Sequence, residues 1–225
     1  HRADVALCGC FRLGGGGVLE AINLSVRAGE IVGIAGLMGS GRTELCRALF
    51  GAEPADSGRI LVDGKPVRVD SPRRAVEAGI ALAPEDRQGH GLATGRPVGE
   101  NITLPSLERF SPGGVIALRR EHAEAGALAA RLRLKSATLD QRAGKLSGGN
   151  QQKAVIAKWV MRGARVFLFD EPARGIDVGA KREVFELMDE LARQGAAVLM
   201  VSSEMQELTS VADRILVMKD GRIAA

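Results

Sequence analysis

Residues Gly36–Glu44, with the sequence GLMGSGRTE, combine the residue types of a loop that binds phosphate. They follow the short apolar run Glu30–Ala35 and precede residues with helical spacing. Glycines let the main chain bend closely around anionic oxygens, and the start of a helix adds partial positive charge. The usual pattern G-x-x-x-x-G-K-[ST] requires a lysine where this chain has Arg42. Taken alone, the segment therefore leaves open whether a nucleotide binds here.

We expect the main chain of this loop to hold phosphate oxygens, and the Thr43 hydroxyl to be available as a ligand for Mg²⁺. Upstream, the aromatic ring of Phe11 is a candidate to stack on a nucleotide base, although packing in the core or in a loop is the favoured alternative. The full set assigned to nucleotide binding is Gly36, Leu37, Met38, Gly39, Ser40, Gly41, Arg42, Thr43, Glu44 and Phe11.

A second segment, Val166–Pro172 with the sequence VFLFDEP, ends an apolar run in two carboxylates. A parallel strand of this kind delivers its last residue to the edge of the sheet where ligands bind. Asp170 could hold Mg²⁺ through water, and Glu171 could polarise an attacking water molecule. The alternative is a strand that ends in an acidic turn by chance, which the neighbouring phosphate loop makes less favoured.

A third segment, Leu146–Gln151 with the sequence LSGGNQ, opens a predicted helix. A serine followed by two glycines at a helix N-terminus is another main-chain cradle for an anion. One domain does not need two sites for a terminal phosphate, so this cradle is expected to serve a nucleotide on another domain. The alternative is a plain helix cap beside a glycine turn. The candidate residues are Ser147, Gly148, Gly149, Asn150 and Gln151.

The elements that must position these segments follow from apolar periodicity. In the last third of the chain, strands alternate with helices, which predicts an α/β fold with a parallel sheet covered on both faces. Residues from about 72 to 143 carry loop prolines and predict a mostly helical insertion. Predicted strands are Val5–Cys10, Val18–Val26, Glu30–Ala35, Arg59–Val62, Val166–Phe169, Ala197–Val201 and Arg214–Met218; predicted helices are Arg42–Phe50, Arg119–Leu134, Asn150–Met161, Val178–Arg193 and Glu204–Val211.

The composition is that of an ordinary globular chain of 225 residues, with 45% hydrophobic and 26% charged residues. The net charge of +4 comes from dispersed residues, which indicates a mixed surface rather than a basic patch. Aromatic residues make up only 3% and there is no tyrosine, so platforms for stacking nucleic-acid bases are scarce. We expect no nucleic-acid partner. No apolar run approaches the ~20 residues needed to cross a bilayer.

The order of phosphate loop, helical insertion, LSGGNQQK, VFLFDEP and ARGIDVGAK resembles the nucleotide-binding domain of ABC transporters. The segments GLMGSGRTE, PEDRQGHGL, LSGGNQQK, DEPARGIDVGAK and VSSEM resemble the C-terminal ATPase half of bacterial monosaccharide importers of the ribose, galactose and xylose kind. The resemblance implies a P-loop NTPase fold with a parallel core sheet, an antiparallel β subdomain towards the N-terminus and a helical insertion. It implies one ATPase domain over residues 1–225, with 1–83 and 164–225 as the core and about 84–163 as the helical part carrying the signature. That domain would be half of a longer chain.

The resemblance also implies ATP and Mg²⁺ as cofactors and a sandwich dimer with a second ATPase half. Thr43 and Asp170 would hold the metal, while Ser147, Gly148 and Gly149 would reach the partner's terminal phosphate. The loop that crosses the dimer would be Gly175, Ile176 and Asp177. The other implied partners are transmembrane permease subunits and, indirectly, a sugar-binding protein, at the cytoplasmic side of the inner membrane.

Three positions depart from the family pattern, and all three would face the terminal phosphate, its metal or the attacking water. Arg42 replaces a lysine, Glu85 stands near the place of a glutamine, and Ser203 stands where the family has a histidine. Arginine is larger than an ammonium group, and serine cannot carry a proton at pH 7. With Glu171, Glu85 and Ser203 as the candidate catalytic residues, we expect a pocket that holds nucleotide but hydrolyses it poorly.

Four alternatives remain open from the sequence. Arg42 could be a tolerated replacement in a fully active site. The chain could be a purely regulatory half without turnover. It could serve an importer of nucleoside-like cargo. It could also act as a soluble ABC protein on ribosomes or DNA, although the long linkers and basic arms typical of those proteins do not occur here. The sequence does not identify the sugar, which binds elsewhere in such an assembly.

Overall fold

The structure is a computed structural model that describes residues 4–5, 19–20, 22–53 and 57–224. Within these ranges the strands are β1 (Asp4–Val5), β2 (Val26–Arg27), β3 (Ile31–Gly36), β4 (Ile60–Val62), β5 (Lys65–Val67), β6 (Ile80–Ala83), β7 (Val166–Asp170), β8 (Ala197–Val201), β9 (Arg214–Lys219) and β10 (Arg222–Ile223). The α-helices are α1 (Arg42–Phe50), α2 (Pro72–Glu77), α3 (Val98–Thr103), α4 (Leu118–Arg131), α5 (Gly148–Arg162), α6 (Val178–Arg193) and α7 (Met205–Val211).

A six-stranded sheet with the order β10-β9-β3-β8-β7-β6 forms the centre of the fold. Strand β3 pairs in parallel with both β9 and β8, and β7 pairs in parallel with β8, whereas β10 returns antiparallel to β9. Every residue of β7 and β8 is buried. Strands that are apolar on both faces are typical of a parallel sheet covered on both sides. The predicted α/β fold with a parallel core sheet is confirmed.

Two small antiparallel pairs accompany this sheet in the N-terminal part of the chain. Strand β1 pairs with β2, and β4 pairs with β5. The predicted antiparallel β component at the N-terminal side is thus present. Of the predicted strand Val18–Val26, the described residues before Val26 form no strand, and of Val5–Cys10 everything after Val5 lies outside the described residues.

The segment from residue 72 to 143 is less purely helical than expected. It begins with α2, where the Ser71 hydroxyl oxygen accepts a hydrogen bond from the Arg74 N–H, and continues into the buried strand β6. Strand β6 has the sequence IALA, and alanine has little intrinsic preference for strands. Its place at the edge of the main sheet, beside β7, provides the stability that the local sequence lacks.

The chain divides into two compact units. The first takes in the described residues up to Leu82, Arg165–Pro172 and the described residues from Met188 onward, and it holds the core of the main sheet. The second comprises Ala83–Ala164 and Ala173–Leu187, with a helical core around the fully buried ring of Phe110. In the second unit, Glu121 on α4 is buried and accepts a hydrogen bond of 2.5 Å from the Thr103 hydroxyl on α3. Among the described residues, no helix is both long enough and apolar enough to span a bilayer.

Candidate functional site

The phosphate loop, Gly36–Thr43, connects the end of β3 to the start of α1 in the first unit. Gly39 and Gly41 have φ angles of 80° and 100°, a left-handed region that side chains other than glycine rarely adopt. A Cβ at Gly36 would lie 2.5 Å from Ser40 Oγ and 2.6 Å from Met218 O, so only glycine fits there. Gly41 is the cap residue of α1 and has no side chain that could bond the first N–H groups of the helix. This is the main-chain geometry of an anion site.

The remaining side chains of this loop point to different surroundings. Leu37 and Met38 are 85% and 90% exposed, whereas Ser40 is buried. Glu44 lies in the first turn of α1 and is partly buried. A cavity of about 510 Å³ opens against the loop, and its lining takes in Gly36–Ser40, Ser203 and Met205 but neither Thr43 nor Asp170. The metal-ligand candidates therefore lie outside that cavity.

Thr43 and Asp170 meet where α1 begins and β7 ends. The Thr43 hydroxyl donates a hydrogen bond of 3.1 Å to Asp170 Oδ1, although the two residues are 127 positions apart. Asp170 is only 4% exposed, and this burial raises its pKa to about 6, with a smaller opposing effect of the Thr43 hydrogen bond. A buried carboxylate beside a hydroxyl gains a strong electrostatic advantage from a cation.

Glu171 follows Asp170 in the chain, and each of its two carboxylate oxygens contacts another side chain. Its Oε1 lies 3.4 Å from Arg42 Nη1, and its Oε2 accepts a hydrogen bond of 3.2 Å from the Ser203 hydroxyl. Burial raises the pKa of Glu171, and the charge of Arg42 and the Ser203 hydrogen bond oppose that shift. The backbone of Glu171 has a φ of 47°, an uncommon value for a residue with a side chain. Strained backbone of this kind is found at ligand sites more often than elsewhere.

The donor set fits a nucleotide with Mg²⁺. The Thr43 hydroxyl and the Asp170 carboxylate are the hard oxygen ligands that Mg²⁺ prefers, with water and phosphate completing its shell. Two buried polar atoms of the loop, Ser40 Oγ and Arg42 Nη1, have no hydrogen-bond partner among the described residues. The contact of Arg42 Nη1 with Glu171 is thus an attraction between charges without hydrogen-bond alignment. Both atoms remain able to bond phosphate oxygens. The described residues contain no cluster of three His, Cys, Asp or Glu side chains suited to a metal ion.

The signature segment, Leu146–Gln151, lies in the second unit at the start of α5. Ser147 is exposed and forms no side-chain cap on the helix. A Cβ at Gly149 would lie 2.4 Å from Ala180 Cβ, so α5 approaches α6 more closely here than a side chain allows. Asn150 bonds Ser147 Oγ and the Lys135 main chain. Gln151 is only 3% exposed and bonds Gln88, so its side chain faces inward.

Glu85 and the loop Gly175–Asp177 also belong to the second unit. The Glu85 carboxylate forms an ion pair with Arg174, which directly precedes the loop. Gly175 has a φ of 68°, Ile176 is partly buried, and Asp177 Oδ1 accepts a hydrogen bond from the Ala180 N–H at the start of α6. Within this unit Glu85 therefore orders the chain around Arg174. Phe11, the candidate for base stacking, lies outside the described residues.

Two charged residues of the second unit were not predicted from the sequence. Lys153 is 1% exposed, and its Nζ donates to Arg133 O at 2.8 Å and to Glu183. Arg87 is half-buried, and its Nη1 has no hydrogen-bond partner among the described residues. Burial lowers the pKa of Arg87. The sequence signal that could have indicated these two buried residues is the charge of each within an otherwise apolar or glycine-rich segment.

Solved structures identify the fold. A nucleotide-free ATP-binding cassette from an ABC transporter superposes with a TM-score of 0.80 at 23% identity, covering 100% of this chain and 90% of that one. A dimeric ATP-binding cassette in a post-hydrolysis state, bound to ADP and Pi, gives a TM-score of 0.80 at 20% identity over 99% of this chain and 97% of that one. The fold is that of an ATP-binding cassette.

Sequence comparison makes the assignment specific. Residues 19–174 match the ABC transporter family, and the chain belongs to that family. It is 51% identical over 212 residues to the ribose import ATP-binding protein RbsA 1 of Rubrobacter xylanophilus, and 48% identical over 208 residues to the ribose import ATP-binding protein RbsA of Bacillus subtilis. These matches cover 94% and 92% of this chain but 42% of each relative. The chain therefore spans about two fifths of the length of these relatives.

Proposed function

We propose that this chain is one ATP-binding half of a bacterial monosaccharide importer and that it hydrolyses ATP slowly at its own phosphate loop. Its signature segment completes the site of a second half. The proposal joins two observations: both oxygens of Glu171 are held by Arg42 and Ser203, while Ser147 at the start of α5 remains exposed. The first of these is the observation that carries it.

The condition of Glu171 supports slow hydrolysis. A general base needs a free lone pair and a suitable pKa to take a proton from water. Burial raises the pKa of Glu171, but the guanidinium group at one oxygen and the hydroxyl at the other oppose that rise, so the carboxylate is a weaker base than burial alone would make it. Ser203 cannot take over as a proton carrier, because a serine hydroxyl does not ionise near neutral pH. We therefore assign Ser203 and Arg42 to restraining Glu171 rather than to activating it.

Binding of nucleotide does not need that base. An anion would be bound by the main-chain N–H groups of the phosphate loop and of the start of α1, and Arg42 adds a positive charge at the same place. Thr43 and Asp170 are arranged to hold Mg²⁺, which when bound would neutralise phosphate charge and orient its oxygens. The site would thus bind ATP with Mg²⁺ and contribute little to its cleavage.

The cargo and the partners are inferred from the relatives. Their names state ribose import, and a ribose-type sugar is therefore the cargo that we assign to the assembly containing this chain. The assembly would comprise a second ATP-binding half, transmembrane permease subunits and a sugar-binding protein, with this chain at the cytoplasmic face of the membrane. Leu104, the residue after α3, and Leu118, the first residue of α4, are exposed apolar side chains on the part of the cassette that we assign to contact with the permease.

The test separates the two nucleotide sites. In the complete two-half protein, the phosphate-loop lysine of the second half is replaced, and hydrolysis at the site of this chain is measured in a single turnover. We expect ATP to bind with Mg²⁺ and turnover well below ~1 s⁻¹, the lower end of ordinary enzyme rates. A rate of ~1 s⁻¹ or more at this site would contradict the proposal. Binding with no measurable turnover at the site of this chain, with the second half present, would support the purely regulatory alternative.

A further inference from the structure

The side chain of Asn150 is held between two polar groups of the second unit. Its Oδ1 accepts a hydrogen bond of 2.7 Å from the Lys135 N–H, and its Nδ2 donates one of 2.9 Å to Ser147 Oγ. A main-chain N–H can only donate, so the bond to Lys135 identifies which end of the amide is the oxygen. The NH₂ end therefore faces Ser147, and exchanging the two ends of the amide would lose the bond to the Lys135 N–H.

This arrangement restricts what the Ser147 hydroxyl can do. A serine hydroxyl has one proton to donate and two lone pairs that accept. Asn150 Nδ2 occupies a lone pair, and within the described part of the chain Ser147 Oγ donates to no acceptor. In an ordinary helix cap, the serine oxygen would accept from the main-chain N–H groups of the first turn. Here it forms no such cap. Both the hydroxyl proton and those N–H groups are left for a ligand.

We propose that Asn150 is a positioning residue that directs the proton of the Ser147 hydroxyl towards the terminal phosphate of a nucleotide bound by the second ATP-binding half. This inference rests on the proposed function of the signature segment. Ser147 touches the phosphate, and Asn150 acts only through Ser147. Lys135 anchors the amide from the other side, so that the orientation is set before any nucleotide arrives.

The replacement Asn150→Asp reverses this orientation with almost no change in shape. The new carboxylate still accepts the Lys135 N–H, but its other oxygen can only accept a hydrogen bond. The Ser147 proton then turns towards the carboxylate, and the hydroxyl presents lone pairs to the phosphate. Asn150→Ala removes the Lys135 bond and leaves the hydroxyl free to rotate. If Asn150 acts by orienting the Ser147 hydroxyl, Asn150→Asp should lower turnover more than Asn150→Ala does. If Asn150 matters only through its bond to the Lys135 N–H, Asn150→Ala should lower turnover more.

The experiment measures ATP turnover at the site of the second half, in the complete two-half protein assembled with its permease. The variants are Ser147→Ala, Asn150→Ala, Asn150→Asp and the double replacement of Ser147→Ala with Asn150→Asp. We expect Ser147→Ala and Asn150→Asp each to lower turnover by about 10- to 100-fold, and Asn150→Ala to lower it less. We expect the double variant to match Ser147→Ala within about twofold, because Asn150 has no effect without the hydroxyl.

The outcomes separate this inference from the function on which it rests. Full turnover in Ser147→Ala would show that the signature segment takes no part in the second half's site, and this would contradict the proposed function as well. A loss in Ser147→Ala with normal turnover in Asn150→Asp would overturn only the role of Asn150. A double variant well below Ser147→Ala would show that the new charge or a change of fold acts independently, which also overturns that role. If Asn150→Asp does not fold, the same cycle with Asn150→Ala decides, and additivity there overturns the role too.

Discussion

Arg42 Nη1 lies 3.4 Å from Glu171 Oε1, and the two side chains are only 9% and 11% exposed. The pair joins the position where the chain departs from the usual phosphate-loop lysine to the carboxylate that would activate water. A lysine ammonium group is a compact charge on a flexible stem, while the arginine fork extends further and keeps its charge delocalised. The departure at Arg42 thus has a direct physical effect on Glu171.

Replacing Arg42 by lysine and Ser203 by histidine should raise hydrolysis at this site. The smaller ammonium group would leave Glu171 for the phosphates, and the histidine would supply a side chain that can carry a proton near pH 7. We expect single-turnover hydrolysis to rise by about tenfold or more. Adding Glu171→Gln in the same background should abolish the gain. An unchanged rate in the double replacement would mean that the restraint on Glu171 does not limit the reaction.

Asp170 should make the ligand-free protein less stable as the pH rises. Its pKa is raised to about 6 in the folded protein from an ordinary value of 3.8, so the folded state binds more protons than the unfolded state between these values. The free energy of unfolding therefore falls as the pH rises from about 4 to about 6, by on the order of 3 kcal/mol. We expect Asp170→Asn to lose this part of the pH dependence in urea unfolding without Mg²⁺.

The matched control for that experiment is Asp140→Asn, an acidic residue that is exposed in the second unit. It makes the same chemical change without removing the buried carboxylate, and it should keep the pH dependence of the original protein. Identical pH profiles for Asp170→Asn and the original protein would contradict the assignment. Saturating Mg²⁺ with nucleotide should also reduce the pH dependence, because a bound cation favours the ionised carboxylate.

The close approach of α5 and α6 should make Gly149 intolerant of a methyl group. A Cβ at Gly149 would lie 2.4 Å from Ala180 Cβ, so Gly149→Ala should cost about 1–3 kcal/mol of unfolding free energy. Gly126→Ala in α4 is the matched control, since its new Cβ would meet the flexible end of Leu139 at 3.3 Å. That control should be neutral or slightly stabilising.

A second replacement tests whether the clash itself is responsible. Ala180→Gly removes the opposing methyl group, so combining it with Gly149→Ala should recover part of the lost stability, after allowing about 1 kcal/mol for glycine in a helix. Chemical denaturation of the original protein, the two single variants and the double variant measures the coupling. Independent, additive losses would show that Gly149 is required for another reason, such as its backbone conformation.

Lys153 should contribute far more stability than Lys135, although both pair with Glu183. Lys153 is 2% exposed in its side chain and also bonds Arg133 O, whereas Lys135 is 76% exposed with its Nζ 3.7 Å from Glu183. Removing Lys153 leaves the Arg133 carbonyl without its donor, which costs about 1–3 kcal/mol, while an exposed pair contributes about 1 kcal/mol or less. We expect Lys153→Met to lower the free energy of unfolding accordingly and Lys135→Met to have little effect. Equal effects in urea unfolding would refute this difference.

The segments that carry phosphate chemistry could be predicted because their signals are local. A glycine loop between an apolar run and a helix, and a strand that ends in carboxylates, are each visible within about ten residues. The sheet could be predicted for the same reason, since β7 and β8 are continuous apolar runs. Strand β6 was missed because its alanines carry no preference for strands.

Pairings between distant residues outside the phosphate site could not be predicted. Glu85 meets Arg174 across 89 positions, and Lys153 meets Glu183 across 30. No periodicity encodes which charged side chain will be buried or which partner it will find. The inward orientation of Gln151 has the same origin, since its partner Gln88 comes from a separate loop. Such contacts depend on the packed fold rather than on local sequence.

The position of β3 between β8 and β9 has a consequence for synthesis on the ribosome. Its two neighbours begin 161 and 178 residues after it ends, since β3 ends at Gly36 while β8 begins at Ala197 and β9 at Arg214. At roughly 5–20 residues per second, β3 emerges about 8–32 seconds before either hydrogen-bonding neighbour exists. Until then its unpaired main-chain N–H and C=O groups and its apolar side chains are open to wrong partners, including other nascent chains. We therefore expect chaperones that bind exposed apolar strands to bind the nascent polypeptide.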